Sequence, residues 1–279
     1  MTFILSLASA LLYGMADFAG GVATRRNRVF SVMLVTQASG LVVALVGASL
    51  LGPSAPTAAD LAWGCGAGAL GFVGVATLYA GLAKHRAAIV SPLSALGGAV
   101  LPMLFGAAIG EKPSATALAG AVLCLPAILL LACEKGEATD RKELRASFLH
   151  GMVAGIGFGC FFILISRSSP GSGIWPLLSA RVVNLVIVAA ILILGPSPFA
   201  VARRSLPTAL FAGAADMLAN VLFLLAARSG LLIIATIITS LYPAPTVILA
   251  RIFQGQRISP ARMAGIAFAL AGIALIGIK

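Results

Sequence analysis

Ten apolar stretches, each about 20 residues long and separated by short turns, most constrain what this chain can fold into. They run over 2–22, 30–51, 61–83, 87–109, 115–133, 148–166, 173–194, 206–227, 230–250 and 262–278. A helix needs ~20 apolar residues to cross the hydrocarbon of a bilayer, and a helix satisfies its own backbone amides where no water can. Each stretch therefore reads as a membrane-spanning helix, and the chain as an all-α membrane protein. The first stretch carries Tyr13 and Asp17 and follows no basic segment, so it reads as a spanning helix and not a signal peptide. Charged residues make up only 10% of the chain, against ~25% in soluble domains. The net charge of +11 raises nucleic acid as a partner, but Lys and Arg fall in short tufts between the apolar stretches. They form no continuous basic face and read as topology signals. The bilayer is the expected partner, and nucleic acid is not.

The chain also repeats itself. Residues 96–120, LGGAVLPMLFGAAIGEKPSATALAG, return 145 positions later as LYPAPTVILARIFQGQRISPARMAG over 241–265. Gly110 matches Gly255, Lys112 meets Arg257, Ser114 matches Ser259, and Gly120 matches Gly265. Three further patches keep nearly the same offset: LLYG from Leu11 with IGFG from Ile156, LYAGLAK from Leu78 with LFLLAAR from Leu222, and GPS from Gly52 with the same run from Gly195. Patches in one order at one offset indicate a duplication. The expected domains are a first five-helix repeat over 1–133, a polar linker over 134–147 and a second five-helix repeat over 148–279. Five is odd, so the second copy enters the membrane from the opposite side, giving an inverted-topology repeat. The basic residues follow the odd-numbered helices, for example Arg25, Arg26, Arg203 and Arg204. That imbalance places those loops in the cytoplasm and both termini outside.

Ten helices in two inverted halves accompany an aromatic-Gly pair in the first helix of each half (Tyr13-Gly14, Phe158-Gly159), the LYAGLAK ending and the GEKPSAT turn. On these features the chain resembles the EamA-like family of the drug/metabolite transporter superfamily, over essentially its whole length. The resemblance implies an inner-membrane carrier that exports small metabolites by alternating access, with amino-acid exporters of the YddG type as the nearest branch. Neutral, aromatic or hydrophobic amino acids are the substrates it implies, with another small metabolite or drug as the alternative. Two departures stand out. Family members commonly keep both termini in the cytoplasm, and the basic residue often found in the second helix of each half is present as Arg181 but is Ala38 at the aligned place in the first half.

Ionisable groups near the middle of a membrane cost ~2.5–3.5 kcal/mol on insertion scales and usually face a partner or a wet cavity. Asp17, Arg181 and Asp216 qualify. Asp216, Asn220 and Phe223 share one stripe of their helix, so that stripe is expected to face the interior. Asp216 could bind a substrate ammonium or carry a coupling proton, or it could pair with Arg181. Arg181 could hold a substrate carboxylate bidentately, or serve as the counter-ion. Ser6, Ser9, Tyr13 and Asp17 form a polar stripe on the first helix; Asp17 reads as an interfacial partner of Arg25 and Arg26, and Tyr13 as the cavity residue. Tyr79, Phe158, Trp175 and Tyr242 are placed by repeat position near the centre or its rim, Trp175 at the interface. Pro243 and Pro245 after Tyr242 must free backbone carbonyls, and Pro92 and Pro102 suggest a related break or bend in helix four. The expected substrate-binding set is thus Tyr13, Tyr79, Phe158, Arg181, Asp216, Asn220 and Tyr242.

No catalytic residue, metal ligand or cofactor is expected. Cys65, Cys124, Cys133 and Cys160 lack CxxC or His-rich company and read as packing residues. An intramembrane aspartyl protease built on Asp17 and Asp216 is the alternative of a different class, opposed by their MADF and AADM contexts. A passive pore lacks a visible charge ring or carbonyl filter. The expected partners are a small-molecule substrate and, for coupling, a proton; a monomer suffices.

Overall fold

The structure, a computed structural model, describes residues 1–25, 27–50, 54–84, 87–132, 141–195, 199–255 and 258–278; the side chains of 79, 82–84, 87, 88, 91, 92 and 132 lie outside that description. The described residues are helical, without strands. In order they form α1 (Thr2–Thr24), α2 (Val29–Leu50), α3 (Ala58–Lys84), α4 (Ala87–Ala108), α5 (Ala115–Ala132), α6 (Arg141–Ser166), α7 (Trp175–Leu194), α8 (Leu206–Ser229), α9 (Leu232–Thr239), α10 (Pro243–Gln254) and α11 (Pro260–Gly277). Among the described residues eight spans are long and apolar enough to cross a membrane, with α9 and α10 together counting as one; Leu93–Ala108 and Ala115–Leu131 are shorter apolar helices. The protein is thus an all-α, multi-pass membrane protein.

Two boundaries differ from the expected runs. The stretch expected as one helix over 230–250 is broken at Ser240–Tyr242, because Pro243 and Pro245 have no N–H to continue the ladder and the chain restarts with Pro at the head of α10. By contrast α4 runs unbroken past Pro92 and Pro102. At the other boundary, α6 begins at Arg141, seven residues ahead of 148, with Glu143 in its first turn. Its 26 residues span about 39 Å at 1.5 Å per residue, so its basic first turns project beyond the ~30 Å hydrocarbon. Residues 133–140 of the expected linker, with Cys133, lie outside the described residues.

Packing is dominated by contacts between residues from the two ends of the chain. α1 lies on α8, α3 and α4 on α6, α2 on α7 and α8, α3 on α7, α5 on α11, and α9 touches α4 and α1. Without water to drive helices together, close approach rests on small residues. A Cβ on Gly68 of α3 would stand 2.6 Å from the Ala180 carbonyl oxygen of α7, and one on Gly213 of α8 would collide with the Thr36 carbonyl of α2. Ser6 and Ser9 are fully buried. Ser9 Oγ donates to Ala219 O at 2.8 Å, so the polar stripe of α1 faces α8 and not lipid.

Hydrogen bonds tie the two ends of the bundle. At one end, rich in arginine, Arg25 donates to Gln254 Oε1 at 2.8 Å and Ala202 N to Asn27 Oδ1 at 2.7 Å. At the opposite end Ser169 N donates to Asp60 Oδ1 at 2.6 Å, and Arg228 donates to Gly173 O at 2.7 Å and to the hydroxyls of Ser168 and Ser172, each at 2.9 Å.

Candidate functional site

A cavity of about 200 Å³ lies among α1, α2, α3, α4, α6, α7, α8 and the α9–α10 break. That is below the ~300–1,000 Å³ typical of drug-sized pockets, which suits a small molecule. Six of the seven expected substrate residues line it: Tyr13, Phe158, Arg181, Asp216, Asn220 and Tyr242. The side chain of the seventh, Tyr79, lies outside the described residues; its neighbour Leu78 is on the wall. Trp175 opens α7 and is not a wall residue.

One wall is polar. Arg181 is buried, 7% exposed. Its Nη2 forms an ion pair with Asp216 Oδ2, its Nη1 donates to Gln37 Oε1 at 2.6 Å, and its Nε faces Met217 Sδ at 3.4 Å. In this structure Arg181 is the counter-ion of Asp216 and also a wall residue of the cavity. Asn220, one turn along α8, donates from Nδ2 to Asp216 O at 2.7 Å and approaches Asp216 Oδ2 at 3.3 Å, while its Oδ1 is buried without a partner. Phe223 completes the stripe as a fully buried core residue. The α8 stripe thus runs from cavity wall to core.

The other wall is aromatic. Phe158, Phe161 and Phe162 come from one turn of α6. Rings continue from Tyr242 to Tyr13 (centroids 6.2 Å apart), from Tyr13 to Phe162 (6.4 Å, edge to face) and from Phe162 to Phe223 (4.4 Å). The break in α9–α10 brings Tyr242 here. Thr246 Oγ1 lies 3.0 Å from Tyr242 O and 3.1 Å from Gly14 O, so α1 is seated on the break.

Sequence reasoning missed three polar wall residues and misplaced a fourth. Gln37, Ser94 and Ser240 line the cavity. Gln37 is 144 positions before Arg181; a register of 143, taken from the GPS runs, points instead to Ala38. Asp17 is not an interfacial partner of Arg25. Arg25 is bonded to Gln254, and Asp17 is exposed to the central cavity and to a second one of about 210 Å³ that passes Gly21 and Thr246 to reach Arg25, Gln254 and Arg262. Only tertiary packing reveals that opening, because the local sequence offers nearer cations.

No protein-family model matches the chain, and no curated protein matches it. A protein of solved crystal structure is similar to it over 99% of this chain and 98% of its own, with a TM-score of 0.79 at 17% identity. At that identity the likeness shows a shared fold and carries no activity.

Proposed function

We propose that the chain is a secondary transporter of the EamA-like type, residing in an inner membrane and exporting a small metabolite by alternating access. The observation that carries this reading is a small, mostly apolar cavity with an ionic pair and a cluster of aromatic rings on its walls, enclosed by helices from both halves of the chain. A five-plus-five inverted repeat underlies it. In support, equivalent contacts recur under one offset. Gly14 faces the Tyr242 carbonyl (2.7 Å to a built Cβ) and Gly159 faces the Gly97 carbonyl (2.9 Å); 159 − 14 and 242 − 97 are both 145. Ser114 accepts from Ala117 N at 3.2 Å and Ser259 from Arg262 N at 3.3 Å, again 145 apart. The pairing of α1 with α8 likewise has its counterpart in α6 with α3. With α9 and α10 taken as one broken span, the repeat has ten spans.

The arginine-rich end is assigned to the cytoplasm and the termini to the outside. The second cavity then continues from Asp17 toward the cytoplasm, while the opposite end is tied by Asp60 and Arg228. Asp216 is committed to Arg181, which weighs against a proton-sharing carboxylate dyad and hence against the protease alternative.

Counterflow in proteoliposomes tests the carrier reading: with single amino acids and their amine analogues preloaded, a matching labelled tracer should accumulate transiently and saturably. Flux that rises linearly with concentration and ignores the internal load would replace the carrier with a pore.

A further inference from the structure

Among the described residues, the charges that line the central cavity do not pair off completely. Arg181 brings its guanidinium to the wall with every nitrogen engaged, on Asp216, Gln37 and Met217. Its positive charge is matched by Asp216. Asp17 opens onto the same space and makes no hydrogen bond or ion pair among the described residues. Arg25 is eight residues further along α1, about 12 Å on the helix axis, and is held by Gln254. Arg262 lies with it in the adjoining cavity. One carboxylate in the central cavity is therefore left over.

The neutral groups point the same way. Asn220 has spent its Nδ2 donor on Asp216, and its buried Oδ1 acceptor is without a partner. Tyr13, Phe158, Phe161, Phe162 and Tyr242 line the same cavity, and the face of an aromatic ring attracts a cation most strongly where water is excluded. An ammonium group would find the Asp17 carboxylate and an aromatic wall. A substrate carboxylate would be repelled by Asp17 and, with Arg181 engaged, would find only neutral donors such as Ser240 and Tyr242 among the described wall residues.

Resting on the carrier reading, we infer that the cavity selects a small organic cation, a protonated amine carrying an apolar or aromatic group and no carboxylate. Asp17 is the residue that holds the ammonium. Amino acids, as zwitterions, are discriminated against at their carboxylate end.

The test compares phenethylamine, phenylalanine amide and phenylalanine, which share one ring and differ in charge, by counterflow and by the shift each produces in the melting temperature of the purified protein. Both cations should exchange and stabilise at roughly tenfold lower concentration than phenylalanine, since a charge-assisted contact is worth about that factor. Asp17→Asn should abolish the preference while Asp17→Glu keeps it, with folding of each checked by size-exclusion. Phenylalanine binding as well as the amines, no binding of either amine to the wild type, or an Asp17→Asn protein that binds amines like wild type would each overturn the inference. Stabilisation by the amines without counterflow would uphold the cation site and sink the carrier; saturable exchange of phenylalanine at concentrations no higher than the amines require would do the reverse.

Discussion

Glu111 and Leu232 are joined across the bundle: the carboxylate in the α4–α5 turn accepts the Leu232 amide at 2.7 Å and the adjacent Ile233 amide at 2.9 Å. These are the first two residues of α9, a helix with no side-chain cap of its own. The bond satisfies orphan amides and sets a negative charge on the positive helix end. It also pins the broken span to the other half of the chain. Replacing Glu111 with Ala should cost about 1.5–3 kcal/mol, the range for hydrogen bonds to a charged group. Glu111→Gln should recover part of it. Thermal melts in detergent measure both, and an unchanged melt for Glu111→Ala would remove the cap from the account.

The buried pair of Arg181 and Asp216 predicts a non-additive pattern. Losing one partner strands a charge at membrane depth and should cost about 3–5 kcal/mol, whereas neutral residues of similar size at both positions restore most of the stability. Arg181→Met and Asp216→Asn should each melt well below the wild type, and the double variant above either single. A double variant less stable than both singles would oppose the pairing.

Close helix crossings should be intolerant of bulk. Valine at Gly68 or Gly213 places carbons where the Ala180 and Thr36 carbonyls already stand, and backbone cannot yield as a side chain can. Each should cost about 1–3 kcal/mol or more and reduce the folded yield. Gly21 has open space around it, so Gly21→Ala is the control and should be silent in the same size-exclusion assay.

Arg228 fastens the turn before α7 by three hydrogen bonds. With Arg228→Ala the turn should open, and a cysteine placed at buried Ser172, in a background whose native cysteines are alanine, should react several-fold faster with a membrane-impermeant maleimide. The same labelling rate with and without Arg228 would show that other contacts close this end.

Much of the helical layout was legible because lipid imposes a local rule: a run of apolar residues must bond to itself. The stripe of Asp216, Asn220 and Phe223 could be read from helical period alone, and the prolines after Tyr242 marked the interruption in α9–α10. Glu111 could not be read this way, since its partner is 121 residues away and the local turn gives no hint of a cap. Gln37 escaped because the register between the halves slips by a residue or two along α2. Asp17 was assigned to Arg25 because sequence proximity outweighed a cavity that no window of sequence contains; Arg26, the other expected partner, lies outside the described residues.

The sequence by itself determined which segments are helices and which polar residues they must turn away from lipid, because both follow from period and hydrocarbon thickness. Only the tertiary structure decided which charges cancel. Arg181 and Asp216 are 35 residues apart on different helices, and their packing leaves Asp17 alone in the cavity; electrostatic pairing depends on distance in space, which a chain of similar apolar helices does not encode locally.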